Sequence, residues 1–442
     1  MSLDELTTRV AGILPHPVDE LQVAALLESQ GLTDQGAADD YGMADVFAVA
    51  VLVFDRLRDR PAPAPAPEEP PETRNWTEIV RGPLYALPAM VYPAVSMAMD
   101  ETRIVPAMVF TTALGWIWGA GTSWVAYRLL GQGLEKAAGK AQRVLGGVGL
   151  VLVLVGSMLL TPGWLVLFAV VQMIFQLAVG TLVFYRDENR LAIAMTPACV
   201  AGIAHLMSGY DEGLTIPTLV CAVVSVLLAG FAALRATFTG TGALRMPRWR
   251  PLAIGAAPSM VYAALCAGLL LYTDTRYVVA RIDLAVGVAP LVLGMGAVEW
   301  RAHRFFEQAG ELVRGSILPA QFGREVWRVL LRELGACLIL LALCGLPVLA
   351  LLAYHGVLSR SGALLIDGHL MLGGAFFLGF VLARVSVPAL LAVWGGVLFV
   401  YIGLAEVLNG GHVPLLLVSA TGLVALMLMA LRTSVGQVRH YG

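Results

Sequence analysis

From Pro83 onward the chain is a succession of twelve apolar segments, each near the roughly 20 residues that a helix needs to cross a bilayer. They run approximately 83–99, 104–127, 144–160, 163–185, 191–208, 214–235, 251–272, 279–298, 333–354, 361–383, 387–407 and 412–431. Hydrocarbon offers no partner for a free N–H or C=O, so such segments must close their own backbone hydrogen bonds as helices. Composition agrees: with 58% hydrophobic residues, 14% charged and a mean hydropathy of +0.78, the chain has too few charges to cover a soluble globule of 442 residues. The expectation is an all-α integral membrane protein.

Charge sets the orientation. MSLDELTTRV is acidic and polar and does not fit a cleavable signal, which places the N-terminus in the cytoplasm. The connections then falling inside hold nineteen Arg/Lys, whereas the outer connections and segment ends hold four, Arg103, Arg276, Arg281 and Arg360. Basic residues accumulate on the cytoplasmic side, so both termini are expected there and the number of spans is even.

Internal similarity divides the twelve into two sets. PAMVYPA from Pro88 returns as PSMVYAA from Pro258, and each copy is followed by a second apolar segment that closes on glycines and an aromatic/basic run. That run is Gly119, Gly121, Trp124, Tyr127 and Arg128 in the first copy, and Gly294, Gly296, Trp300 and Arg301 in the second. Long amphipathic connections, GLEKAAGKAQRVL and FFEQAGELVRGSILPAQFGREVWRVLLRE, recur at matching places and read as helices lying in the membrane interface. A duplicated multispan unit points to a transporter.

Residues 1–60 differ in character, with eleven Asp/Glu against four Arg, which argues against a grip on nucleic acid. Helical spacing over Leu3 to Leu14, Pro17 to Gln30 and Met43 to Arg60 predicts a small helical cytoplasmic module, a candidate dock for a protein partner. PAPAPAPEEPPET, within 61–80, reads as a polyproline spacer. The five cysteines lie in apolar segments without metal-ligand spacing, and no catalytic constellation is visible; neither metal nor cofactor is expected.

Two six-span halves that open alike, with amphipathic connections after the second and eighth spans, resemble the multidrug, oligosaccharidyl-lipid and polysaccharide flippase superfamily. They are also similar to a membrane subunit of a Pel-type exopolysaccharide secretion apparatus. The resemblance covers residues 83–442 and implies bundles at 81–240 and 241–442 that alternately expose a central cavity to either side of the cell membrane.

Ionisable groups inside spans are costly and are therefore candidates for a pathway or gate. On the expected topology Arg103, Arg276, Arg281, Asp283, Asp367, His369 and Glu406 fall toward the outer side. Pro88, Pro93 and Pro258 are expected to kink the first and seventh spans, and Tyr92 and Tyr262 follow at the same register, where a sugar ring can stack. The leading expectation is a transporter for a lipid-linked saccharide or exopolysaccharide. The alternatives are a transport-inactive scaffold that recruits partners through the N-terminal module, a cation-coupled drug exporter, and a membrane transferase. The drug exporter lacks the acidic residue expected in the middle of the first three spans, and the transferase has nothing better than the lone Asp-x-His in IDGHL from Ile366.

Overall fold

The computed structural model describes residues 3–14, 17, 19–58, 77–98, 101–160, 163–241, 248–275, 282–315, 319–408, 412–432 and 434–437. The Pro-rich segment assigned to 61–80 lies outside them as far as residue 76. All regular structure among the described residues is helical, and chain contacts divide the protein into Met1–Asn75 and Trp76–Gly442.

The first unit is four short helices, α1 (Leu3–Ile13), α2 (Glu20–Ser29), α3 (Asp34–Tyr41) and α4 (Val46–Arg58). Val10, Val23, Leu27, Val49, Ala50 and Val53 form its apolar core. The sequence predicts only three of these helices. α3 has almost no apolar periodicity and exists through its ends: Thr33 caps the first turn by accepting from the Gly36 amide at 3.2 Å, and Gly42 closes it in the left-handed region at φ 67°. Asp34 then accepts from the Val46 amide at 3.0 Å, tying α3 to the start of α4.

The second unit opens with α5 (Thr77–Ala86), a 3-10 turn over Leu87–Met90 and α6 (Tyr92–Ala98). It continues with α7 (Glu101–Leu130), α8 (Glu135–Leu160), α9 (Trp164–Phe184), α10 (Glu188–Met207), α11 (Glu212–Ala236) and α12 (Trp249–Asp274). A single turn, α13 (Ile282–Ala285), leads into α14 (Ala289–Gly315), α15 (Pro319–Tyr354), α16 (Arg360–Val385), α17 (Val387–Val407) and α18 (His412–Leu431). Ten of the described helices, α7 to α12 and α15 to α18, are long and apolar enough to cross a membrane.

The two remaining expected spans are built differently. The first is divided among α5, the 3-10 turn and α6; Pro88 sits in the turn, whose Met90 carbonyl comes so close to α10 that only a glycine, Gly202, fits beneath it. The eighth is α13 followed by α14, and α14 carries its helix on through the polar run Arg301–Gly315.

Neither long connection is a separate helix in the membrane interface. The first is the opening of α8, where Ala137, Ala138 and Ala141 are buried and Arg143 donates to the Thr237 carbonyl at 2.6 Å while lying over the Phe238 ring. The second is divided between the end of α14 and the start of α15, helices that pair with each other. Phe305, Ala309, Phe322, Val326 and Leu330 bury their apolar faces against protein, so that face is not available to lipid. At ~1.5 Å per residue, the 36-residue α15 is about 54 Å long, well beyond the ~30 Å of hydrocarbon.

Apolar burial collects in two main cores, one drawing on residues between Leu84 and Ala236 and the other on residues between Cys266 and Val435. The helices joining them cross reciprocally: α5 packs on α14, and α7 packs on α12. Small residues allow the approach. A Cβ on Gly82 would collide with the Leu293 carbonyl and one on Gly296 with the Glu78 carbonyl, while Gly121 faces Met260 and Gly255 faces Trp124.

Candidate functional site

At the α5–α14 crossing the backbones come close at Gly82 and Gly296, and polar side chains meet beside them. Arg81 of α5 directs Nε (2.9 Å) and Nη2 (2.8 Å) onto Glu188 at the start of α10, and Nη1 onto Glu299 of α14 at 3.2 Å. All three side chains are mostly buried, Arg81 at 13% exposure, Glu188 at 8% and Glu299 at 21%, so the pairs are shielded from the screening that weakens surface ion pairs. Tyr85, one turn along α5, donates to Glu299 at 3.5 Å, and His303 lies 3.3 Å from Glu78. Two residues beyond Glu299 the chain is tied again, as Arg301 reaches Glu333 of α15 at 3.0 Å.

A second polar group lies at the far end of α12. Tyr272 donates to Glu406 of α17, Thr273 shares a 2.7 Å hydrogen bond with the buried Tyr401, and Asp274 Oδ1 stands 3.3 Å from Nε2 of His369 on α16. The three consecutive residues thus bind α12 to both α17 and α16. Asp367 is not part of this group: two residues apart on a helix point roughly 200° apart, leaving Asp367 exposed and His369 fully buried.

The third group is neutral and joins α6 to α9. Tyr92 of α6 accepts from Gln172 of α9 at 3.3 Å. One turn on, Gln176 lies against Gly115 with its Oε1 buried and without a hydrogen-bond partner. Tyr262 meets a different environment despite its matching register: its ring stands edge-on to Trp394 at 5.6 Å, which in turn stacks on Phe376 at 5.4 Å. Pro258 is carried within the unbroken α12, and Pro93 is the second residue of α6.

Arg276 and Arg281 lie outside the described residues, as do the side chains of Arg103 and Asp283. Arg81, Tyr85, Glu188, Glu299, Asp274, Gln172 and Gln176 were not among the expected site residues. Glu299 was within reach, because it falls between the repeated glycines Gly294 and Gly296 and the Trp300/Arg301 that close the same run. A search confined to ionisable groups passes over Gln172 and Gln176, although an amide in so apolar a span also needs a partner.

A pocket of about 280 Å³, lined by Leu130, Glu135, Ala138, Phe184, Tyr185, Arg186, Thr239 and Gly240, opens between the ends of α7, α9 and α11 and the start of α8. Among the described residues no group of three or more His, Cys, Asp or Glu is placed to hold a metal ion.

The helices define a multi-pass membrane protein. No family model matches the chain, and no curated protein matches it. A solved structure, the inward-facing conformation of a multidrug resistance MATE family transporter of the MOP superfamily, is similar at a TM-score of 0.44 and 12% identity, over 83% of this chain and 94% of that one.

Proposed function

We propose that this protein is an alternating-access transporter of the cytoplasmic membrane, that its moving bodies are residues 81–240 and 241–442, and that it carries a lipid-linked saccharide or exopolysaccharide. The observation that carries this reading is the reciprocal crossing of α5 on α14 and α7 on α12. Each portion lends its opening helices to the other, so a rocking motion would part those two crossings. Arg81, held by a carboxylate from each portion, would be the latch. A saccharide substrate is supported by the neutral group Tyr92, Gln172 and Gln176, since sugar hydroxyls are matched by amides and phenols rather than by fixed charge.

A cation-coupled drug exporter is the second reading. It is favoured by the mostly buried carboxylates Glu299 of α14 and Asp274 of α12, acidic groups of the second portion rather than of the first three spans.

The test is reconstitution of the full chain in liposomes that carry a fluorescent polyprenyl-diphosphate oligosaccharide, followed by lectin access to the sugar. Time-dependent translocation that is lost in Gln172→Leu/Gln176→Leu supports the saccharide reading, and no translocation contradicts it. Efflux of a cationic dye driven by a pH gradient would support the second reading instead.

A further inference from the structure

His369 is a fully buried histidine whose two ring nitrogens have different neighbours. Nδ1 lies 2.8 Å from the carbonyl oxygen of Leu365, one turn back on α16. A carbonyl can only accept, so Nδ1 must carry a hydrogen. In the neutral ring that leaves Nε2 as a bare lone pair. Nε2 faces Oδ1 of Asp274 at 3.3 Å, an ion-pair distance, and neither atom is exposed or has a hydrogen-bond partner. Two acceptors without a hydrogen between them, both out of water, would repel each other and remain unsatisfied.

We propose that Asp274 and His369 form a proton-binding site in which one proton is held between Oδ1 and Nε2. Imidazole is the stronger base of the two, so the proton rests on Nε2 and the carboxylate stays ionised, giving an ion pair between α12 and α16. Asp274 is 18% exposed and His369 is not exposed at all, so the proton enters and leaves past Asp274. Removing it leaves a carboxylate against a lone pair and weakens the hold of α12 on α16. Among the described residues at this end, Tyr272 is engaged with Glu406 and Tyr401 with Thr273, and Asp367 lies on the exposed side of α16. His412 opens α18, the helix packed against α16, and is buried as well. The site is a property of the folded chain and stands whether or not the chain transports.

The test is nitrogen-15 NMR of the full-length protein in lipid bilayers with labelled histidine, the His369 signal being assigned by its loss in His369→Asn. The expected result at neutral pH is a doubly protonated ring. In Asp274→Asn the amide donates to Nε2 and the ring becomes neutral. A wild-type His369 with bare Nε2 at neutral pH would overturn the site, as would an Asp274→Asn spectrum unchanged from wild type. Should either variant fail to fold, the wild-type spectrum decides. A doubly protonated ring at neutral pH supports the site, and its absence from all seven histidines overturns it.

Discussion

Arg81 of α5 and Glu299 of α14 meet at 3.2 Å although 218 residues separate them, and they join the two main apolar cores at the α5–α14 crossing. The contact depends on glycine. Gly82 beside Arg81 and Gly296 one turn before Glu299 remove the side chains that would hold α5 and α14 apart. Arg81 then offers a planar fork to Glu188 and a remaining nitrogen to Glu299, so one guanidinium compensates two buried carboxylates.

Removing the cation should cost more than removing one of its partners. Arg81→Ala leaves Glu188 and Glu299 buried without compensation and is expected to destabilise the protein by about 3 kcal/mol. Arg81→Ala/Glu299→Gln should recover part of that loss. Thermal unfolding in lipid nanodiscs measures both; a double variant less stable than Arg81→Ala would show that Arg81 and Glu299 do not act as a pair.

Gly296→Ala should be destabilising by about 1–3 kcal/mol, because its methyl group would occupy the space of the Glu78 carbonyl. Gly119→Ala, on the same repeated run in α7, meets nothing within 4 Å and should be neutral or slightly stabilising, since alanine is the better helix former. Equal melting temperatures for the two variants would contradict close α5–α14 packing.

Gln176→Leu is expected to leave stability unchanged or raise it by about 1 kcal/mol, because it removes a buried acceptor that has no partner. Saccharide translocation should fall in the same variant. A marked loss of melting temperature would instead assign Gln176 to structure.

The N-terminal module should fail on its own. Val53 is fully buried in its core, and Val53→Asp places an unpaired carboxylate there, enough to unfold so small a unit. Hydrogen exchange should accelerate across α2 and α4 and remain unchanged across α7 to α18. Faster exchange in the membrane helices would contradict the separation of Met1–Asn75 from Trp76–Gly442.

Hydropathy alone located the ten span-length helices, because a bilayer demands long apolar runs and little else does. It could not show that the first span is broken, since a 3-10 turn keeps the same apolar composition as a helix; Pro88 marks the place, and Gly202, on another helix, makes room for it. The amphipathic connections were misplaced for a related reason. Phe305, Phe322 and Val326 present an apolar face whether they meet lipid or one another, and amphipathicity does not say which. At the candidate site His369 is visible as a costly group in a span, but its partner is not: Asp274, at the end of α12, comes beside His369 only in the folded chain.

The most direct test of the central claim is a distance measurement by electron–electron double resonance in lipid bilayers. Spin labels at Arg190→Cys and Arg304→Cys, both on exposed positions near the Arg81 latch, would be used in a chain whose five native cysteines are replaced. The expected result is two distance populations, with Arg81→Ala enriching the longer one as the α5–α14 crossing opens. A single narrow distribution that Arg81→Ala leaves in place would contradict alternating access by these two bodies.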